Sequence, residues 1–160
     1  MKTTEIARSY LGQLETKNNS GFVDPNFEQK MHGVGFYKGA PWCLFFCRLV
    51  WKEAGFKINR ISASSLTTMR WASNDGNWHI EPKEGAIAIF RTFRNGKPQN
   101  NGHGAIVVSV GDGIYSTIDG NTSDKGGREG IMVAIRNRHL NKDSWTKENG
   151  LRLMGFVYPR

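Results

Sequence analysis

The chain of 160 residues has few cysteines, no long apolar run and no dense block of one charge. Two cysteines are too few for a disulfide framework, and Cys43 and Cys47 are four residues apart in one predicted helix, where a bridge has poor geometry. We therefore expect two free thiols. No apolar stretch approaches the roughly 18 residues of a membrane-spanning helix, so we expect no stable membrane insertion. Residues 1–8 lack the apolar core of a signal peptide, which predicts synthesis in the cytoplasm without one.

What the chain does contain is typical of a folded protein with a positive surface. It is 38% hydrophobic and 22% charged, and its length accommodates a single sizeable core, so we predict one domain over residues 1–160. The formal net charge of +8 favours anionic partners such as nucleic acid, an anionic membrane or an anionic cell-wall polymer. Helix-turn-helix and aromatic RNA-binding signatures are missing, so nucleic acid is not the expected partner.

Residues 41–55 predict a buried helix with a cysteine in its first turn. Pro41 suits the first helical position, Gly55 suits the left-handed position after the end, and apolar residues occupy almost every face between them. Cys43 then lies near unpaired backbone N–H groups and the positive end of the helix dipole, which lower a thiol pKa. The alternative is that Cys43 is a small buried apolar residue, as free cysteines often are.

The remaining pattern predicts helices first and strands afterwards. We expect a helix over about residues 4–12, a long loop over 16–41 and a helix from Ser62 to Asn74. We expect five strands, over residues 86–91, 103–110, 113–118, 131–137 and 153–158, with polar loops over 93–102 and 119–130. This order indicates an α+β fold with an antiparallel sheet. The loop aromatics Phe36, Tyr37 and Trp42 either line a substrate groove or cover the core.

Three polar residues are predicted to converge with Cys43. A cysteine nucleophile needs a base, and the base needs an orienting group. His103 opens the second predicted strand, and a hairpin turn at residues 111–113 returns the chain, so that Asp119 or Asn121 comes back beside His103. The hairpin register alone leaves open which of these two residues orients the histidine.

At this level the sequence resembles the CHAP domains, the cysteine- and histidine-dependent amidohydrolases/peptidases of the wider NlpC-type and papain-like group. The resemblance runs from about residue 10 to 158 and is carried by the order and spacing of segments 42–46 with 52–55, 82–90, and 102–107 with 118–122. It implies a papain-like single domain, with N-terminal helices packed on a central antiparallel sheet of about five to six strands. Two positions depart from the family pattern: Ala86 stands where Asp is usual, and Asp119 where Glu is commoner.

The resemblance also implies roles for individual residues. Cys43 would be the nucleophile, His103 the general base, Asp119 the acidic partner and Asn121 an assisting residue. The backbone N–H of Cys43 would form part of an oxyanion hole, with Tyr37 as a second donor.

We predict no metal and no cofactor. Some relatives carry calcium in the N-terminal loop. The candidate ligands here would be Asn18, Asn19, Ser20 and Asp24, and one carboxylate is too few for such a site. A zinc site from Cys43, Cys47, His32 and His103 lacks the usual close ligand pairs.

The resemblance predicts a peptidoglycan hydrolase that cleaves an amide bond, either as an N-acetylmuramoyl-L-alanine amidase or as a stem-peptide or cross-bridge endopeptidase. A phage lysin or a secreted antibacterial effector would then act on the cell wall after release or secretion, and an effector would have an immunity protein as partner. Two alternatives remain: a cysteine amidase or deamidase acting on a protein or small amide, and a basic binding module without enzymatic activity.

Overall fold

A computed structural model describes residues 2–122 and 131–160, and the structural statements below refer to these residues. The helices are α1 (Lys2–Ser9), α2 (Pro25–His32), α3 (Cys43–Ala54), α4 (Ser65–Asn74) and α5 (Lys142–Thr146). The strands are β1 (Ile87–Arg94), β2 (Lys97–Gly111), β3 (Ile114–Thr122), β4 (Met132–His139) and β5 (Gly150–Val157). No helix in these ranges is both long and apolar enough to cross a membrane.

The five strands form one antiparallel sheet in the order β4-β3-β2-β1-β5. This confirms the predicted α+β class and antiparallel sheet. Alternate strand residues enter two apolar clusters, because successive side chains point to opposite faces of a strand. In β1, Ile87 and Ile89 join the large cluster beneath the N-terminal helices, whereas Ala88 and Phe90 join a smaller cluster that includes Trp145 of α5.

Helix α3 is the buried element on which the N-terminal part of the fold is built. Eight of its residues are buried, and it packs against α1, β2 and β3. It ends at Gly55, whose φ of 90° is the left-handed conformation predicted from the sequence. It begins two residues later than predicted, since Trp42 is the N-cap and Pro41 lies outside the helix. Cys43 is therefore the first helical residue.

The predicted loop over residues 16–41 is wrong in its middle, where α2 forms. The Asp24 side chain accepts hydrogen bonds from the N–H groups of Asn26 and Phe27, and Pro25 is the first helical residue. These start signals are surrounded by glycines and asparagines that favour turns. The first helix is also shifted, since α1 ends at Ser9 rather than near residue 12.

The predicted polar loop over residues 93–102 is a β-hairpin. Asn95 and Gly96 form its turn with φ values of 52° and 73°, and β1 and β2 pair up to them. This Asn-Gly signal for a tight turn was present in the sequence. His103 therefore lies inside β2 instead of at its start. Residues 119–121 belong to β3 instead of to the predicted polar loop, and residues 123–130 of that loop lie outside the described residues.

Arg48 ties the two segments that flank α3. Its Nε donates to the Val34 carbonyl at 2.8 Å, and its Nη1 donates to the carbonyls of Ile58, at 2.9 Å, and of Ile61. One guanidinium therefore binds the loop that leads into α3 and the connection that follows it.

Candidate active site

The thiol of Cys43 lies at the first turn of α3 and against β2. The residue is 6% exposed. Trp42 makes no side-chain capping bond, so the N-terminal N–H groups of the helix are not satisfied by a cap. The N–H groups of Leu44 and of Gly104 in β2 are directed at the sulfur and stabilise its ionised form.

His103 lies between the thiol and a carboxylate. It is 1% exposed, and its Nε2 is 2.7 Å from Oδ2 of Asp119. Its other ring nitrogen, Nδ1, is buried and makes no hydrogen bond of normal geometry with any residue in the described ranges. Because Cys43 interacts with the imidazole and Nε2 is already bonded to Asp119, Nδ1 is the ring nitrogen available to the thiol.

Asp119 is fixed by three donors from three strands. Besides His103 of β2, Nη2 of Arg138 from β4 donates to Oδ2 at 2.5 Å, and the Thr117 hydroxyl donates to Oδ1 at 2.5 Å. Arg138 also donates from Nε to the Thr117 hydroxyl at 2.9 Å. The carboxylate is 0% exposed, so these contacts replace its water.

The charges of this cluster shift the pKa of each member. Burial raises the pKa of Asp119, but the Arg138 charge and the His103 and Thr117 hydrogen bonds outweigh it and lower the pKa to about 2. Burial lowers the pKa of His103, whereas Asp119 and Cys43 together raise it to about 9. Burial raises the pKa of Cys43, yet His103 and the two N–H groups leave it below its ordinary value. Both the lowered pKa of Cys43 and the raised pKa of His103 favour a thiolate beside an imidazolium over the neutral pair.

Two glycines allow α3 to approach the strands that carry His103 and Asp119. A Cβ on Gly104 would lie 2.7 Å from Cδ2 of Leu44, and a Cβ on Gly120 would lie 2.7 Å from Cβ of Phe46. Each glycine is a chain neighbour of a site residue. Their lack of a side chain brings the helix start to the sheet.

The structure separates the two residues that the sequence left as alternatives. Asp119 binds His103, whereas Asn121 is buried with a φ of 55° and its Oδ1 has no hydrogen-bond partner in the described part of the chain. Asp119 therefore orients the histidine in this structure. An assisting role for Asn121 stays a prediction.

The two aromatic residues predicted for the groove and oxyanion hole differ in position. Trp42 is 0% exposed, packs edge-on against Phe22 at 4.9 Å and donates to Glu15 at 3.4 Å. Its assignment to an open groove is wrong, because its ring is part of the core. Tyr37 is 62% exposed and contacts Phe45 edge-on, and its role as an oxyanion donor stays a prediction.

Sequence reasoning missed Thr117 and Arg138. Thr117 is two residues before Asp119 on the same strand, so the period of a strand places both on one face. Arg138 pairs across the sheet with Tyr115 on that same face, but the fourth predicted strand ended at residue 137. A predicted strand that extended to residue 139 would have placed Arg138 in the sheet.

The residues considered for metals have other contacts. Asp24 caps α2, the N–H of Asn19 donates to Glu15, and His32 bonds the Phe36 carbonyl at 3.0 Å. Within residues 2–122 and 131–160, no three His, Cys, Asp or Glu side chains gather as a ligand set.

Comparisons with known proteins give a distant likeness. No protein-family model matches the chain, and no curated protein matches it. Among solved structures, it is similar to an N-acetylmuramoyl-L-alanine amidase from Staphylococcus aureus, with 20% identity and a TM-score of 0.44. The match covers 71% of this chain and 30% of that one.

Proposed function

We propose that this chain is a cysteine amidohydrolase that cleaves an amide bond of bacterial peptidoglycan. The observation that carries the proposal is the buried line from Cys43 through His103 to Asp119, with its 2.7 Å imidazole–carboxylate bond. A buried cysteine of the ordinary inert kind has a raised pKa, whereas that of Cys43 is lowered. This difference favours a nucleophile over the basic binding module.

The proposed reaction passes through a thioester. The Cys43 thiolate attacks the amide carbonyl carbon, and the helix-start N–H of Cys43 donates to the oxyanion. Protonated His103 gives its Nδ1 proton to the leaving nitrogen as the carbon–nitrogen bond breaks. A water molecule then attacks the thioester while His103 accepts its proton. The carbon–sulfur bond breaks, and the carboxylic acid product leaves the thiolate and imidazolium restored.

Two features support the wall as substrate. The motif order resembles the CHAP domains, and the net charge of +8 suits an anionic wall polymer. The similar staphylococcal protein is itself named an N-acetylmuramoyl-L-alanine amidase. The scissile bond would be the muramoyl–alanine amide or one in the stem peptide or cross-bridge.

We further propose that the protein reaches the wall as a phage lysin or as a secreted antibacterial effector. The neighbouring genes separate these routes, since a lysin would be accompanied by a pore-forming protein and an effector by an immunity protein.

The test is a digest of purified peptidoglycan, read by mass spectrometry of the released fragments. Wild type should release fragments whose masses and new termini identify the bond, and Cys43→Ala should release none, because the nucleophile is gone. Cys47→Ala is the matched control, since this second buried thiol lies one turn away on α3 and should be dispensable.

Equal digestion by folded Cys43→Ala would refute the thiol mechanism. No digestion of several wall types by a folded, reduced wild type would refute the wall as substrate. If Cys43 were still reactive, that result would favour an amidase or deamidase acting on a protein or small amide.

A further inference from the structure

The candidate site holds more buried negative charge than one histidine can balance. When Cys43 is a thiolate, it and the Asp119 carboxylate are two anions, and protonated His103 supplies one positive charge. Both anions belong to buried residues. An uncompensated charge in such surroundings is costly, and the usual response is that the group takes up a proton.

Arg138 lies where the missing positive charge is required. Its Nη2 is 2.5 Å from the same Oδ2 of Asp119 that binds His103, and its Nε reaches Thr117 at 2.9 Å. The guanidinium lies over the Phe90 ring at 4.4 Å, and the side chain is 20% exposed. Two hydrogen bonds and the ring therefore fix its position. An arginine remains charged in such a setting.

We propose that Arg138 is a positioning residue and the second cation of the site, and that its pairing with Asp119 allows Cys43 to ionise. This inference deepens the proposed thiol chemistry and rests on it. With Arg138, the four ionised groups sum to zero; without it, the thiolate state of the site carries a net charge of −1. The lost charge would be recovered by protonation of Cys43 or Asp119.

Of the described residues, the thiols and the phenol near Asp119 do not supply that charge. Titratable groups in its surroundings include the thiols of α3, the imidazole of β2, the phenol of β3 and the guanidinium of β4: Cys43, Cys47, His103, Tyr115 and Arg138. Burial is the main cause that raises the pKa of Cys47 well above its ordinary value and that of Tyr115 to about 12. Both stay neutral near pH 7, which leaves Arg138 as the balancing cation among these groups.

The test measures the rate of Cys43 alkylation by iodoacetamide against pH, in a Cys47→Ala background so that one thiol reacts. For Arg138→Met, the midpoint of the profile should move up by at least one pH unit, which is about a tenfold slower reaction below both midpoints. Arg152→Met is the matched control, because Arg152 is also stacked on a phenylalanine of the sheet, Phe93, and bonds only main-chain carbonyls in the described contacts. Its midpoint should equal that of the background.

A double variant separates charge balance from mere support of the fold. Arg138→Met with Asp119→Asn removes one cation and one anion together, so its midpoint should return to within about half a unit of the background. This variant also decides the matter if Arg138→Met alone does not fold. An unchanged midpoint in folded Arg138→Met, or a double variant shifted up by a full unit, would overturn the inference. Alkylation needs no peptidoglycan, so this result is independent of the wall digest.

Discussion

Cys43 and Cys47 lie one turn apart on α3, and their surroundings give them opposite chemistry. Both thiols are buried and both belong to the large apolar cluster. Burial raises the pKa of each, but only Cys43 has a neighbouring imidazole and two N–H donors that overcome it. Around Cys47, burial is joined by the nearby Cys43 and Asp119, whose negative charges raise its pKa further.

Since both thiols are buried, their neighbouring groups determine whether a thiol of this helix is reactive. Cys47 lies 4 residues further along α3, where the backbone N–H groups are hydrogen-bonded within the helix instead of being free to stabilise a thiolate. In place of the imidazole of His103 it has burial and the negative charges of Cys43 and Asp119, which disfavour a thiolate at Cys47. The site is therefore a property of the first turn of α3, and the next turn serves the core.

The largest expected effect comes from removing the imidazole. In His103→Gln the thiol of Cys43 loses its main ionising partner, so its pKa should rise toward that of Cys47. We expect alkylation of Cys43 near pH 6.5 to slow by about 100-fold, equivalent to about two pH units. Site-resolved mass spectrometry after timed iodoacetamide treatment measures both cysteines at once. A folded variant in which Cys43 still reacts much faster than Cys47 would contradict this account.

A smaller effect should come from moving the helix start away from the sheet. In Gly120→Ala the new methyl would lie 2.7 Å from Cβ of Phe46 and 2.8 Å from the Trp42 ring, so α3 must shift. We expect roughly tenfold slower alkylation of Cys43 and a loss of about 1–3 kcal/mol in the free energy of unfolding.

Gly104→Ala is the comparison variant for this prediction. Its methyl would meet the flexible end of Leu44, which can turn aside, so both losses should be smaller. Thermal melts and alkylation rates compare the two variants. Wild-type reactivity in Gly120→Ala would show that the close approach of the helix is unnecessary.

The smallest effect is on the pH dependence of stability. The pKa of His103 is raised from 6.5 to about 9, so its contribution is complete below pH 6.5 and is lost as pH rises toward 9. The pKa of Asp119 is lowered from 3.8 to about 2, so its contribution is complete above pH 3.8 and is lost as pH falls toward 2. The melting temperature should therefore be highest between these limits and decline on both sides, although the lowered pKa of Cys43 offsets part of the alkaline decline, because the native thiolate binds one proton fewer than the unfolded thiol.

One variant near each cysteine tests this pH dependence of the melting temperature. His103→Gln should flatten the alkaline decline, whereas Cys47→Ala should retain both declines, because a neutral thiol contributes no titration over this range. Melting curves from pH 3 to 10 measure the difference. An alkaline decline that survives in His103→Gln would place its origin elsewhere.

Local signals in the sequence were sufficient for most of the secondary structure. The apolar run of α3 and Gly55 predicted a buried helix, and the turn near Asp112 correctly joined two antiparallel strands. Errors arose where turn-forming residues are dense. The helix start at Asp24-Pro25 lies among residues that predict a loop. The Asn95-Gly96 turn lies within a polar stretch that also predicts a loop.

The site was predictable where it follows from hairpin register, and less so where it depends on tertiary packing. Counting along the hairpin brought Asp119 back to His103, which the 2.7 Å contact agrees with. The count had no means of choosing between Asp119 and Asn121, because their side chains point to the same side of a strand. Arg138 comes from a different strand, and no local pattern links it to Asp119.

Arg48 couples the two segments that flank α3. The loop that enters α3 and the connection that leaves it accept hydrogen bonds from the same guanidinium. Neither segment can detach without leaving a partly buried cation short of acceptors, a cost that discourages independent fraying. We therefore expect the two segments to unfold locally as one cooperative unit, so that amide hydrogens on both sides of α3 exchange with solvent through a common opening.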